Sequence, residues 1–215
     1  MIELEKSRND NEVGRKEADV VEAASTRQRI IFFLVAALVI VFDHLTKVYI
    51  ENQLPLNHTW APFPQLADYF RITHVSNTGA AFGLFPEGSL IFAVIAVVVG
   101  AVIIVYNYRL PAGHRMLRVA LGLQLGGAFG NLVDRLRLGH VTDFLDFGPW
   151  PVFNLADMAI VAGVIILGFL MIQEERAMRQ AAKAEQAGAE GEESTQLQAS
   201  LQRSKLPPNH EQRTT

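Results

Sequence analysis

The chain has 215 residues, half of them apolar and only 19% charged, and the charges crowd its two ends and the connections between four long apolar blocks. That distribution reads as a polytopic membrane protein. The absence of cysteine excludes a thiol nucleophile, a disulfide framework and a cysteine metal site, while the net charge of -3 says nothing about partners.

Residues 1–28 mix Glu, Asp, Lys and Arg without an apolar period and are expected to form a disordered or loosely helical tail. The first apolar block, about 30–50, matches the ~20 helical residues that cross ~30 Å of hydrocarbon. It is a poor cleavable signal, because a long polar stretch precedes it and no small-x-small site follows its apolar core. It is expected to stay as a helix. The connection over about 52–80 holds Leu66 to Ser76, rich in β-branched and aromatic types with a rough period-two alternation, which predicts strands of a small sheet. Trp60, Phe63 and Tyr69 fit an interfacial aromatic belt, with anchoring as their expected role rather than substrate contact.

The remaining blocks, about 89–106, 116–133 and 155–172, predict three further spans. Gly126, Gly127 and Gly130 fall inside the third, where small residues allow close helix packing. The connection from Gly139 to Asn154 is expected to be a turn and loop, stiffened by Pro149, Trp150 and Pro151. The C-terminal segment, 174–215, is of low complexity and forms a second tail. No repeat of fixed period relates the blocks, so transporter architecture gains no support.

Lys and Arg set the orientation. Arg15, Lys16, Arg27 and Arg29 precede the first block, Arg109, Arg115 and Arg118 lie in or beside the second connection, and Arg176, Arg179 and Lys183 follow the last block. The other two connections hold only Arg71. The positive-inside rule therefore places both termini in the cytoplasm. Asp43, Thr46 and Lys47, then Asn131, Asp134 and Arg135, then Asn154 and Asp157 all fall at the outer interface. The convergence survives an inverted orientation, since these block ends would still share one side.

An ionisable group near hydrocarbon is disfavoured by up to ~3 kcal/mol at mid-membrane on insertion scales, so each acid needs a reason. Asp43 and Lys47, spaced i,i+4, are expected to pair, and Asp134 with Arg135 is expected to cap the third helix. Asp157 has no basic neighbour within a turn, and Asn154 can orient its carboxyl without neutralising it. Its candidate partners are Asp143 and Asp146, which the loop is long enough to fold back. Two acids in close approach share a proton at neutral pH, because repulsion and desolvation raise one pKa. Such a pair can activate water and polarise a peptide carbonyl, which is aspartic protease chemistry. No nucleophile elbow surrounds Ser76 or Ser89, the six histidines lack HExxH spacing, and no phosphate loop or basic nucleic-acid patch is present.

Four blocks in order then resemble the bacterial lipoprotein signal peptidase (signal peptidase II) family. They are Asp43-His-Leu-Thr46-Lys47, Asn77-Thr-Gly79-Ala-Ala81-Phe82, Gly126 to Arg135 with Val141-Thr-Asp143-Phe144, and Phe153-Asn154-Leu-Ala156-Asp157. The resemblance implies an all-α membrane protein, a four-transmembrane-helix bundle with a small extracytoplasmic β-cradle, its aspartyl peptidase domain spanning 29–173. The activity it implies is removal of the signal peptide from a diacylglyceryl-modified prolipoprotein, before the lipid-bearing cysteine, in the bacterial cytoplasmic membrane. It assigns Asp143 and Asp157 as catalytic and drops Asp146. Asp43, Lys47, Asn77, Gly127, Asn131, Asp134, Arg135, Asn154 and Ala156 take supporting or substrate-binding roles. The expected partners are lipid-modified prolipoproteins and membrane lipids, with no nucleic acid, metal or cofactor, and the chain is expected to be monomeric. The alternative reading is a small proton or ion transporter with interfacial carboxylates. It predicts acids at several depths along a pathway.

Overall fold

The computed structural model describes residues 2–79 and 88–204, with side-chain placement over 28–79 and 88–183. Ala81 and Phe82 of the second motif lie outside the described residues, as does the end of the C-terminal tail from 205. In chain order the elements are α1 (Ile2–Gln53), β1 (Thr59–Trp60), a 3-10 turn (Pro64–Leu66), β2 (Arg71–Asn77), α2 (Ser89–Arg109), α3 (Arg115–Leu138), β3 (Val141–Asp146) and α4 (Leu155–Ser204). Among the described residues four stretches are long and apolar enough to cross a membrane: Gln28–Gln53, Ser89–Arg109, Arg115–Leu138 and Leu155–Lys183. The chain divides into two units, Met1–Gly168 with all of the strands and Phe169–Thr215 with the C-terminal part of α4.

Within the first unit α3 is the least apolar and the most buried of the four spans. The other three present exposed Leu, Ile, Val and Phe, such as Leu38, Phe42, Leu90, Val94, Val161 and Ile165. Exposed apolar faces on a helix of membrane-spanning length are the faces lipid covers, so burial marks packing against protein. Phe32 and Ala36 of α1, Ile103 and Leu110 at α2, and Leu121 and Leu125 of α3 form the apolar core. Close approach depends on glycine. A Cβ at Gly126 would stand 2.8 Å from the Ala36 carbonyl oxygen, and one at Gly127 would collide with the Ala156 carbonyl oxygen at the start of α4.

The three strands form one antiparallel sheet in the order β1-β2-β3. The predicted strand over 66–76 becomes β2, starting five residues later because 64–70 coils into the 3-10 turn and a following turn. The predicted loop from Gly139 to Asn154 is corrected more sharply, since its first half is β3, paired to β2 with Val75 opposite Asp143 and Asn77 opposite Val141. Five of the six β3 residues are buried, so neither face is polar throughout and the alternation that would have marked the strand is missing. The third helix also runs past residue 133 through Asp134 and Arg135, ending at Gly139, whose φ of 80° makes it a left-handed cap.

Candidate active site

Asn154 organises the site. It stands one residue before α4, and its Oδ1 accepts the Asp157 N–H at 3.0 Å while its own N–H donates to Asp157 Oδ2 at 3.4 Å. This reciprocal capping fixes the Asp157 carboxyl over the helix start, where the positive end of the helix dipole favours an acid. The Asn154 amide Nδ2 then donates outward to Asp143 Oδ1 at 2.6 Å and to Asn131 Oδ1 at 3.1 Å. One side chain thus touches both aspartates.

β3 delivers Asp143 to this point. Its Oδ2 accepts from Asn77 Nδ2 at 2.9 Å across the β2–β3 pair, and Asn77 is held in that orientation because its Oδ1 accepts the Gly79 N–H at 3.0 Å. Asn131 of α3 donates to Asp157 Oδ1 at 2.8 Å. Asp143 is 2% exposed, and neither it nor Asp157 forms a salt bridge among the described residues. Burial first, and the Asp157 charge second, push the Asp143 carboxyl up to about 7, outweighing the amide donors that favour its ionised form.

Beneath the pair lies a fully buried ion cluster. Lys47 Nζ donates to Asn131 Oδ1 at 2.9 Å and forms ion pairs with Asp43 Oδ2 at 2.8 Å and Asp134 Oδ2 at 3.0 Å, so one cation offsets two buried carboxylates. Asp43 Oδ1 accepts the Ala156 N–H at 2.9 Å, joining α1 to the start of α4. The Asp43–Lys47 pair is present as expected. The expected Asp134–Arg135 pair is not, because adjacent residues on a helix diverge by about 100°. Asp134 turns inward to Lys47, while Arg135 turns into the cavity, its guanidinium 5.5 Å from the Phe92 ring and 3.4 Å from the Asn131 carbonyl oxygen.

A cavity of about 770 Å³ opens over the aspartates. Asn77, Gly79, Asn131, Arg135, Asp143 and Asp157 form its polar end. Phe92 of α2 and Met158, Val161, Ala162 and Ile165 of α4 line an apolar trough about two helical turns long. Trp150, Pro151, Phe147 and Phe153 wall it from above, with the Phe147 and Phe153 rings stacked at 5.7 Å. Trp150 and Pro151, expected to stiffen a turn rather than to gate the site, line the cavity. An aromatic beside prolines carries no sequence signal that tells the two roles apart.

The structure also separates the two acids that sequence physics left equivalent. Asp146 faces the sheet, accepting from Thr73 at 2.7 Å, from Arg71 at 3.1 and 3.2 Å, and from the Gly148 N–H at 3.0 Å. These donors hold its carboxyl below the usual range against the opposing effect of burial. Asp146 is structural and Asp143 faces the cavity. Among the described residues no cluster of His, Cys, Asp or Glu is arranged to hold a metal.

A model of the signal peptidase (SPase) II family matches residues 35–173. The lipoprotein signal peptidase of Moorella thermoacetica is 50% identical over 137 residues, covering 63% of this chain and 89% of the relative. That of Halothermothrix orenii is 40% identical over 144 residues, covering 67% and 97%. A solved bacterial membrane enzyme superposes with a TM-score of 0.63 at 27% identity, covering 67% of this chain and 88% of its own. The matched region runs from α1 into the membrane-spanning part of α4, contains every residue of the aspartate and lysine networks, and places the chain in the signal peptidase II family.

Proposed function

We propose that the chain is a membrane-embedded aspartyl endopeptidase that removes the signal peptide from diacylglyceryl-modified prolipoproteins, cleaving before the lipid-bearing cysteine. The observation that carries the aspartyl mechanism is the pair itself: Asp143 and Asp157 line one cavity, share Asn154, and form no salt bridge with Lys or Arg among the described residues. With Asp143 raised to about 7, its carboxyl retains a substantial protonated fraction at neutral pH. Asp157 acts as the base that takes a proton from water as its oxygen attacks the scissile carbonyl. Asp143 donates to the carbonyl oxygen, and the leaving amine takes a proton from the pair as the C–N bond breaks. Arg135 and Asn77 steady the developing oxyanion from the polar end.

The trough accounts for the substrate. Phe92, Met158, Val161 and Ile165 lie along the helices and match an apolar signal segment or acyl chain entering from lipid. The supporting roles follow from contacts: Lys47, Asp43 and Asp134 fix Asn131 and the start of α4, Asn154 orients both aspartates, and Gly127 lets α3 approach the Ala156 carbonyl. The distribution of Lys and Arg puts both termini in the cytoplasm and the site at the outer leaflet of the inner membrane. There the sheet forms an extracytoplasmic cradle whose exposed Trp60, Phe63 and Tyr69 sit at the headgroups. Residues 29–173 make up the catalytic domain, acting as a monomer, with cytoplasmic tails at 1–28 and 174–215. A transporter needs acids along a pathway, whereas among the described residues the buried acids Asp43, Asp134, Asp143 and Asp146 all gather at one end.

The test is incubation of the purified protein in nanodiscs with lipidated and unlipidated precursor. Only the lipidated form is expected to shift in size. Asp143→Asn and Asp157→Asn should each lose activity by about 1,000-fold or more while melting as one cooperative species. Cleavage by either variant at the parental rate would falsify the assignment.

A further inference from the structure

Glu51 sits in the last turn of α1, where the exposed carbonyls of the helix end disfavour a negative charge, and no basic residue of that turn offsets it. It lines no part of the cavity. Its carboxylate accepts two hydrogen bonds from Arg137 Nη2, both at 2.8 Å, and one from the Thr142 hydroxyl at 2.7 Å. Thr142 is fully buried and immediately precedes Asp143.

β3 is an edge strand, so only one side of it is paired to β2. On the other side the Phe144 and Leu145 N–H groups donate to the Phe153 carbonyl oxygen at 3.0 and 2.7 Å. Before that point no strand covers the edge, and helix side chains do so instead. The Thr142 N–H donates to Asp134 Oδ2 at 3.2 Å and the Thr142 hydroxyl to Glu51. With β2 pairing its other side, Asp143 lies on this edge between a backbone anchor after it and the Asp134 and Glu51 side-chain anchors before it. Removing the Glu51 anchor leaves the strand free to shift by fractions of an ångström, which matters where two carboxyls must meet one water.

We propose that Glu51 is a positioning residue, which with Arg137 locks Thr142 and thereby sets the placement of Asp143 in the peptidase reaction proposed above, on which this inference rests. Glu51 and Arg137 touch neither aspartate. Their contribution passes through the threonine hydroxyl and the strand edge.

The test compares Glu51→Ala, Glu51→Gln, Thr142→Val and the Glu51→Ala/Thr142→Val double variant in nanodiscs. Two readouts are taken: steady-state cleavage of a lipidated precursor and hydrogen exchange at 141–144. Glu51→Ala and Thr142→Val should each lower kcat about tenfold with KM within about twofold, because substrate contacts are intact while the geometry of attack is not. Glu51→Gln keeps an oxygen for the Thr142 hydroxyl and should restore kcat to within about threefold of the parent. The double variant should be no worse than either single change, since both remove one interaction. Exchange at 141–144 should quicken in Glu51→Ala and stay at the parental level in Glu51→Gln. Parental kcat and exchange in Glu51→Ala would overturn the proposal, as would a loss in KM alone or losses that multiply in the double variant. If the parent itself cuts no precursor, the function is wrong, whereas exchange still decides whether Glu51 braces the strand.

Discussion

Two regions of this molecule bury charge, and they do so in opposite ways. At one end Arg118 is completely buried, and no acid pairs with it among the described residues. Its Nη1 donates to the Asn107 carbonyl and side-chain oxygens at 2.9 and 2.6 Å, and its Nη2 donates to the Leu110 and Pro111 carbonyls at 2.8 and 3.2 Å. The guanidinium thus caps the end of α2, where the helix dipole supplies the negative partner. At the other end four acids, Asp43, Asp134, Asp143 and Asp157, interlock with a lysine and three asparagines, and among the described residues Asp143 and Asp157 accept from amide donors alone. A charge balanced by fixed dipoles serves the fold. A carboxyl pair without a Lys or Arg partner among the described residues is the feature on which the proposed aspartyl mechanism rests.

The largest effect should come from Lys47, where the two roles meet. Lys47→Met leaves Asp43 and Asp134 buried without a counter-charge and should cost about 3–5 kcal/mol of stability, read as a large fall in melting temperature. Residual folded protein should cleave poorly, because Asn131 loses the anchor that aims its amide at Asp157. A variant that melts like the parent would erase the distinction between the two ends.

Arg118→Met should cost about 2–3 kcal/mol, since charge-assisted bonds to four oxygens are lost together and some of those oxygens stay buried. Cleavage per folded molecule should be unchanged. A loss of kcat without a loss of stability would show that this end is not merely structural.

The pH response sharpens the contrast further. Burial and the Asp157 charge raise the Asp143 carboxyl to about 7, so the folded state holds more protons than the unfolded chain between about 4 and 7. Its contribution to stability therefore falls as pH rises from about 4 to 7 and then levels off. Comparing melting temperature against pH for the parent and Asp143→Asn, this slope should be present only in the parent. Asp146 has the opposite sign, because its carboxyl is held low: its contribution is present above 3.8 and lost as pH falls below that.

The smallest effect belongs to Arg71, which is 38% exposed in its ion pair with Asp146. Arg71→Gln should change stability by less than about 1 kcal/mol, since solvent screens the pair and Thr73 and Gly148 still hold the carboxyl. A large loss measured by thermal melting would mean that the sheet depends on this one contact.

Much of this was legible before any coordinates. Four apolar stretches of the right length imply spans because bilayer thickness fixes helix length. The polar residues at their ends imply convergence because a chain that crosses four times returns each alternate end to the same side. Asp43 with Lys47 followed from helix periodicity alone. Asp134 did not, because a side chain with two chemically adequate partners, Arg135 in sequence and Lys47 in space, is assigned by helix packing, and Gly126 and Gly127 bring α3 close to α1 and α4.

The sequence by itself determined the spans, the side on which the acids gather, and the family through its four ordered motifs, since each depends on local periodicity or residue identity. The motifs picked Asp143 over Asp146 by resemblance alone, and only the tertiary structure supplies the physical reason. Asp143 and Asp146 differ by three positions on one strand, and a strand places such residues on opposite faces. The pairing of β3 with β2 turns Asp146 to Arg71 and Asp143 to Asn77 and Asn154, a choice made by long-range register rather than by either residue's neighbours.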